Sequence, residues 1–242
     1  MADNSAIEWT EATWNPVTGC HQVSPGCAHC YAKTFAERWR GVPGHPYEQG
    51  FDLKLWPHRL EQPMKWARPR TIFVNSMSDL FHEGIPFEYI RQVFDVMGEA
   101  QHHTFQILTK RHERLAELAP SLEWHPNVWI GVSIENRRFV HRAGHLRRVD
   151  AAVRFISAEP LLGPLEGLDL TDIHWLIAGG ESGPRHRPIK AEWLHALREQ
   201  CHVADVAFFF KQWGGRTPKT GGRDLDGRTW DEMPRRRVSI AA

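Results

Sequence analysis

Three of the four cysteines in the chain lie within eleven residues of one another. Cys20, Cys27 and Cys30 are separated by six residues and then by two. Pro25 and Gly26 fall in the longer gap and allow the loop to fold back, so that three thiolates can converge on one point. Crowded cysteines in a chain without a disulfide framework indicate a metal site.

Three thiolates leave one coordination position to be filled. Structural zinc normally takes four protein ligands, and an iron–sulfur cluster is normally held by four thiolates. Three therefore require a fourth ligand from elsewhere or a reactive open position. His21, His29 or the distant Cys201 could complete a zinc site, although Cys201 falls on a predicted apolar helix stripe. We favour a cluster with one open iron, and structural zinc and unligated thiols are the alternatives.

The segments around this loop alternate between short apolar runs and helical patterns. Such alternation predicts parallel strands joined by helical crossovers, and runs that are apolar throughout are typical of strands covered on both faces. The clearest strands are predicted at residues 71–75, 105–109, 128–133, 153–157, 173–178 and 206–211, with weaker ones near 7–10 and 51–56.

Apolar stripes predict helices in several of the gaps. One stripe begins after Pro86, a second ends at Cys201, and a third follows the cysteine loop, with aromatic residues at positions 31, 35 and 39. Six to eight strand–helix units in 242 residues predict an α/β fold with a parallel (β/α) barrel, complete or partial. A doubly wound open sheet is the alternative. Residues 1–213 would form the barrel domain and 214–242 a tail packed on it.

The composition limits the class of protein. The chain is 41% hydrophobic and 24% charged, which excludes collagen-like and wholly disordered proteins. Its apolar runs are too short to span a bilayer, and its first residues lack the pattern of a secretory signal. We therefore expect a cytoplasmic protein with no membrane partner. A net charge of +1 gives no global attraction to nucleic acid, so any such binding must come from local patches.

Each strong predicted strand ends in a cluster of polar residues. The clusters lie at 75–79, 109–111, 133–136, 157–160, 179–183 and 211–214. Any one of them fits a turn or a helix cap. Because the carboxyl ends of parallel strands lie on one face, where ligand sites form, six such clusters together predict a substrate face.

The cysteine loop resembles the cluster loop of radical S-adenosylmethionine (SAM) enzymes. Their usual pattern has three residues and then two between the cysteines, with an aromatic residue before the third. Here the first gap is six, and His29 precedes Cys30.

Segments spread over nearly the whole chain carry a second resemblance. They are IEWTEATWNPVTGC, SPGCAHCYA, FVNSMSDLFHE, ILTKR, GVSIEN, RFISAEPLLGPL, GGESGP, FFFKQWGG and DGRTWDEMP. With these segments the sequence resembles the phage Gp37/Gp68 family, a three-Cys-motif family that is regarded as related to radical SAM proteins.

These resemblances imply a [4Fe-4S] cluster and SAM as cofactors. Cys20, Cys27 and Cys30 would each ligate one iron, and the amino and carboxylate groups of SAM would chelate the fourth. An electron donor such as flavodoxin or ferredoxin would drive cleavage of SAM to methionine and a 5′-deoxyadenosyl radical, which abstracts hydrogen from a substrate.

Binding SAM requires a positive partner for its carboxylate and polar groups for its ribose. Lys110 or Arg111 can supply the charge. The cofactor-binding candidates lie at predicted strand ends or beside a ligating cysteine: His29, Ser76, Ser78, Asp79, Lys110, Arg111, Ser133, Glu135 and Asn136. The acid–base candidates, also at strand ends, are Glu159, Glu181 and Lys211.

Three basic groups suit contact with phosphates. The first is a predicted helical segment without acidic residues, the second follows a glycine turn, and the third lies in the tail at 235–237. The first two contain Arg137, Arg138, Arg142, Arg147, Arg148, Arg185 and Arg187. Ordinary solvated faces would look the same.

The basic groups lead us to expect a DNA or RNA substrate, by analogy with the radical SAM repair enzyme spore photoproduct lyase. Two alternatives stay open. One is a radical SAM enzyme that modifies a protein or small molecule, with a possible partner protein. The other is a non-catalytic, zinc- or cluster-stabilised nucleic-acid-binding module.

Overall fold

The computed structural model describes residues 5–234, which fold around one large parallel sheet. The strands, in chain order, are β1 (Ala12–Trp14), β2 (Val17–Thr18), β3 (Lys54–Leu55), β4 (Thr71–Val74), β5 (Thr104–Thr109), β6 (Val128–Ser133), β7 (Val153–Ala158), β8 (Trp175–Gly179) and β9 (Ala207–Gln212). β2 and β3 form a separate antiparallel pair, and the other seven form the large sheet.

The α-helices follow the strands along the chain. They are α1 (Tyr31–Glu37), α2 (Phe87–Glu99), α3 (His112–Leu118), α4 (Arg142–Leu146) and α5 (Ala191–Val203). The stripes predicted after Pro86 and before Cys201 are confirmed, because α2 buries Ile90, Val93 and Phe94 and α5 buries Leu197 and Cys201. These faces pack on the sheet and form the larger part of the core.

The strands of the large sheet are paired in the order in which they occur along the chain. Because crossovers between parallel strands are almost always right-handed, this order places the helices on one face. It excludes the doubly wound alternative, in which the strand order reverses. Among the described residues β1 and β9 do not pair with each other, so the sheet is curled into a half-barrel and a complete barrel does not form.

The ring of Trp9 shows how strongly the sheet curves. Its centroid lies 4.8 Å from that of Phe73 on β4 and 6.2 Å from that of Trp175 on β8. Three strands separate β4 from β8, and in a flat sheet the two would be about 19 Å apart. One indole can contact both only because the sheet is concave. Trp9 and the inward-facing aromatic rings of the strands fill the floor of this concave face.

Two predicted elements are wrong. Residues 7–10 form turns rather than a strand, with Thr10 N–H donating to the Ile7 carbonyl at 3.3 Å, and the first strand follows at Ala12. The basic segment at 137–148 is not one helix. The Asn136 side chain accepts a hydrogen bond from the Arg138 amide and starts a short 3-10 turn, and α4 begins only at Arg142.

The segment after β9 covers that edge of the sheet. The Phe210 amide donates to the Trp230 carbonyl at 2.8 Å, and the Trp175 indole donates to the Glu232 carbonyl at 2.9 Å. An uncovered edge strand would be a template for pairing with other chains. The proposed boundary at 213/214 stays a prediction. Between residues 5 and 234, none of the helices has the length and hydrophobicity needed to cross a membrane.

Candidate functional site

Cys20 follows a glycine that allows close packing of the backbone. Gly19 has a φ of +85°, and a Cβ atom there would lie 2.2 Å from the Asp52 carbonyl oxygen. The Gly19 amide donates to the Met77 carbonyl at 3.0 Å, which joins this loop to the segment after β4. Any other residue at position 19 would push Cys20 away from the mouth of the half-barrel, which we define as the face formed by the carboxyl ends of the large sheet's strands.

Cys27 and Cys30 lie on a tight turn that β6 anchors. Cys27 ends a 3-10 turn and Cys30 directly precedes α1. The Ser24 hydroxyl donates to the Glu135 carboxylate, just beyond β6. A Cβ atom at Gly26 would lie 2.5 Å from the same carboxylate, so the missing side chain allows the turn to rest on it.

The three thiols line one cavity at the mouth of the half-barrel. Its volume is about 250 Å³. The walls also include polar residues from the ends of β4, β5 and β6, namely Asn75, Ser76, Ser78, Asp79, Thr109, Lys110, Arg111 and Ser133. The sequence therefore correctly predicted that the cysteine loop and these strand ends meet.

The surroundings of Cys20 favour the protonated thiol over the thiolate. Burial raises its pKa to about 11, and Asp79 adds to the increase, while Arg111, whose Nη1 lies 3.4 Å from the sulfur, opposes it. A metal ion would displace the proton, because thiolates are the ligating form of cysteine.

No three Cys, His, Asp or Glu side chains within residues 5–234 are grouped in a way that could hold one metal ion. The three thiols share a cavity without meeting around a single point. Cys201 is buried in α5 and is not among the residues that line the cavity, so it does not complete a four-ligand site there.

Arg111 is bound by the protein itself. Its guanidinium contacts Asp79 at 3.2 Å and Glu83 at 2.9 Å, and it donates to the His21 carbonyl at 3.2 Å. Asp79 also accepts hydrogen bonds from the Thr109 hydroxyl and the Lys110 amide. The Asp79 and Arg111 side chains are almost fully buried in the cavity wall, and their contacts hold the loop of Cys20 in place.

Glu135 forms a second buried charge cluster. Its carboxylate is completely buried and lies 3.1 Å from Arg142 Nη1 and 3.8 Å from Lys110 Nζ. Arg142 also donates to the Ser133 carbonyl at 2.6 Å. Arg142 is therefore an internal counterion, and its predicted contact with nucleic acid is wrong because solvent does not reach it.

Three of the cofactor-binding candidates, Ser133, Glu135 and Asn136, lie at or just beyond the end of β6, and of these only Ser133 lines the cavity. Its hydroxyl is buried and has no hydrogen-bond partner among the described residues. The Glu135 carboxylate is already bound by Arg142 and Ser24, and Asn136 caps the turn that follows β6. Ser76 and Ser78 line the cavity, but their hydroxyls donate to the Asn15 side chain and the Val17 carbonyl.

Lys110 keeps bonding capacity toward the cavity. Its side chain is one-fifth exposed, and its contact with Glu135 is at the outer limit of an ion pair. Since an ammonium has three donors, Lys110 can accept an additional anionic group. Lys110 is thus better placed than Arg111 to be the positive partner for a carboxylate, the role that the sequence analysis gave to one of the two.

Glu181 connects the loop after β8 to the cysteine turn. Burial acts to raise its pKa, but hydrogen bonds from Arg187 and His29 outweigh it and lower the pKa to about 2. Arg187 contacts the carboxylate at 2.5 Å, His29 Nδ1 lies 3.0 Å from it, and Arg187 also donates to the Pro25 carbonyl. Glu181, His29 and Arg187 therefore join two loops of the mouth.

Glu159 and Lys211 form an ion pair across an intervening strand. Lys211 Nζ on β9 lies 2.5 Å from Glu159 Oε1, just beyond β7, and both side chains are partly exposed at the mouth. Gly179 on β8 lies between them, and a Cβ atom there would contact both side chains at about 3.5 Å. These are ordinary van der Waals distances, so an alanine at position 179 would fit beside the pair.

The remaining predicted nucleic-acid contacts differ in exposure. Arg147 is paired with Asp169 at 3.0 Å, and Arg187 is bound to Glu181 as above. The exposed members are Arg137, Arg138, Arg148 and Arg185. The arginines at 235–237 lie outside the described residues. The five arginines of the 137–148 segment do not form one continuous basic face.

One contact that sequence reasoning missed lies beside the cavity. His82 Nε2 lies 2.6 Å from His21 Nδ1, and the Gly84 amide donates to His82 Nδ1 at 2.9 Å. His82 therefore accepts at Nδ1 and, in its neutral form, donates from Nε2 to His21. The two residues are 61 positions apart, and no spacing signal in the sequence relates them.

A family model described as a protein of unknown function, DUF5131, matches residues 4–234. The chain belongs to this family. No curated protein and no solved structure matches the chain. The resemblance to the phage Gp37/Gp68 family stays a prediction, because the description of the matching family does not name it.

Proposed function

We propose that this member of the DUF5131 family is an iron–sulfur enzyme of the radical SAM type. The observation that carries the proposal is that Cys20, Cys27 and Cys30 line one cavity at the carboxyl ends of the strands of a half-barrel. Ligand sites of parallel barrels form on this face. The cofactors would be a [4Fe-4S] cluster and SAM, which together supply reductive cleavage of SAM to a 5′-deoxyadenosyl radical.

Three thiolates are the donor set that a cluster with one open iron would need. A zinc ion needs its sulfur ligands about 2.3 Å away around one point, and these thiols are not grouped in that way. The irons of a cube occupy separate corners, so thiolates that ligate one iron each can lie farther apart. Three cysteines also leave one iron without a protein ligand, which is the position a cosubstrate would need.

The protein's own residues have separable tasks in this proposal. The Asp79–Arg111 pair holds the loop of Cys20, and the Ser24–Glu135 contact holds the turn of Cys27. Lys110 would neutralise the carboxylate of SAM, and the unpartnered Ser133 hydroxyl would bond to one of its polar groups.

The substrate is proposed to bind on the side of the mouth that lies at the carboxyl ends of β7, β8 and β9. Glu159 and Lys211 are partly exposed there and could exchange a proton with a bound molecule. A nucleic-acid substrate is proposed on the exposed arginines that remain, of which Arg185 lies in the loop that contacts the cysteine turn. A cytoplasmic location and an external electron donor are part of the same proposal.

Anaerobic reconstitution with iron and sulfide tests the proposal. The wild-type protein should bind about four irons and four sulfides and form 5′-deoxyadenosine from SAM under reducing conditions. Cys27→Ser should lose both properties, since one ligand of the cluster is gone. The matched control is Cys201→Ser, which removes a buried thiol outside the cavity and should retain both.

Two results would contradict the proposal. One is a protein that holds a single zinc ion and takes up no sulfide. The other is a Cys27→Ser variant that retains the full iron and sulfide content. A protein that assembles the cluster but never cleaves SAM would instead support a cluster-stabilised binding module.

A further inference from the structure

A row of aromatic side chains leads from the cavity across the surface. Tyr31, Phe35 and Trp39, which we call the aromatic ladder, recur every four residues along α1 and the turn that follows it. They are 59%, 43% and 36% exposed. Large rings are usually buried, and an exposed contiguous set marks a binding surface. The helix packs on the protein through Ala32 and Ala36 instead.

The rings are held in place by their neighbours. The Phe35 centroid lies 6.5 Å from that of Trp39 and 5.5 Å from that of Tyr47, both edge to face. The Trp39 ring is stacked on His45 with centroids 4.1 Å apart. The Tyr31 hydroxyl donates to the Ser76 carbonyl at 2.5 Å. A ligand that stacks on these side chains would therefore meet rings that are already oriented.

Two cations beside the ladder have no ion-pair partner among the described residues, although the whole chain is nearly neutral. Arg40 is neutralised by Glu37 and Asp52. Lys33 and Arg38 are exposed beside the ladder. The surface thus combines planar rings with two cations that can contact phosphates.

This combination is complementary to unpaired nucleotides. Proteins that bind single strands place bases on aromatic side chains and track the phosphates with basic ones. Tyr31 belongs both to the ladder and to the wall of the cavity. Lys33, one of the two cations beside the ladder, is part of the same wall. A strand lying on the ladder would therefore end at the cavity. A substrate must reach that point, whereas an acidic electron-transfer protein need not enter it.

We propose that the aromatic ladder is a binding track for single-stranded DNA or RNA that delivers a nucleotide to the cavity. The proposal deepens the proposed function and rests on it for the fate of the delivered nucleotide, but binding itself requires no cluster. It adds a surface on α1, beside the cysteine loop, to the exposed arginines proposed above as contacts of the nucleic acid.

Fluorescence anisotropy with a labelled oligothymidylate of roughly 12 nucleotides tests the track. The wild-type protein should bind this probe more tightly than a duplex of the same length. The double variant Phe35→Leu, Trp39→Leu keeps two apolar side chains but removes the rings, and its affinity should fall at least about tenfold, because stacking is worth about 1–3 kcal/mol per base. Val203→Ala, on α5 and 79% exposed, is the control and should bind like the wild type.

A second double variant tests the contribution of the two cations beside the ladder. Lys33→Gln with Arg38→Gln should weaken binding and reduce the slope of log affinity against log salt by about 1.4, since each phosphate contact on a single strand contributes about 0.7. Melting temperatures of all variants identify any loss of folding.

Three results would overturn the inference. They are equal binding of single strand and duplex, unchanged affinity in the ring variant, and a folded wild-type protein that binds flavodoxin but not the oligonucleotide. The binding test is independent of the enzyme activity, because it is measured without a cluster and without SAM. Binding without SAM cleavage in the reconstituted wild type would reject only the proposed function, and SAM cleavage without binding would reject only the track.

Discussion

The two sides of the mouth use charged side chains differently. On the thiol side, at the ends of β4, β5 and β6, the ion pair Asp79–Arg111 is almost fully buried in the cavity wall, and the pair Glu135–Arg142 is buried outside the cavity lining. On the charged side, at the ends of β7, β8 and β9, Glu159–Lys211 is partly open to solvent. The buried pairs fix the cysteine loop, whereas the exposed pair is accessible to a ligand. The same residue types therefore serve stability on one side and are available for chemistry on the other.

The largest effect is expected from Glu135→Ala on the thiol side. The change leaves Arg142 buried without its counterion, and breaking such a pair typically costs about 3–5 kcal/mol. Urea unfolding should show this loss in the free energy of unfolding. Glu83→Ala is the matched control, because its carboxylate is 65% exposed and should cost about 1 kcal/mol or less. Equal losses in the two variants would remove the distinction between buried and exposed pairs.

A smaller effect is expected from acid titration of Glu181. Its pKa falls from 4.5 to about 2 on folding. The stabilisation is thus fully present above pH 4.5 and is lost as the pH falls toward 2, because the unfolded chain then binds a proton that the folded protein resists. Between these limits the wild type should lose about 2 kcal/mol more than Glu181→Gln, reduced from the full shift because Arg187 is one-third exposed. Parallel pH profiles of the two proteins would contradict this.

Lys110→Ala tests the cavity itself. It should weaken SAM binding about tenfold, the equivalent of one charge-assisted contact, and leave the iron and sulfide content unchanged. Isothermal titration with SAM on the reconstituted protein measures the first, and metal analysis the second. Lys190→Ala, an exposed lysine paired with Glu192, serves as the control. An equal loss of SAM and of iron would show that Lys110 holds the loop instead.

The smallest effect on stability is expected from the charged side. Lys211→Ala and Glu159→Ala should each change the free energy of unfolding by about 1 kcal/mol or less, since partly exposed ion pairs contribute little. A double-mutant cycle measured by urea unfolding gives their coupling. A coupling of several kcal/mol would show that this pair stabilises the fold as much as the buried pairs do, and the proposed difference between the two sides would be wrong.

Much of the parallel sheet could be predicted because its strands are covered on both faces. The predicted residues 128–133 match β6 at both ends, because an uninterrupted apolar run indicates a strand that is buried on both faces of the sheet. β1 was missed because three residues are too few to show a period. The open edge between β1 and β9 could not be predicted, because neither strand's sequence shows whether it pairs with a strand that is distant along the chain.

The candidate site was predicted in outline but not in its contacts. The cysteine loop and the strand ends do meet, as the common direction of parallel strands requires. Arg142 was misjudged because its counterion is supplied by another element, and a run of arginines looks the same whether one member is buried or none is. Spacing predicted the helix of Tyr31 and Phe35, but not that these rings face solvent.

The aromatic floor beneath the mouth has a consequence for traffic through the molecule. Trp9 and its neighbours fill the concave face of the sheet below the cavity. In the proposed reaction the cosubstrate and a large substrate would both enter at the mouth, so a cosubstrate that lies deeper could not be exchanged until the large molecule had left.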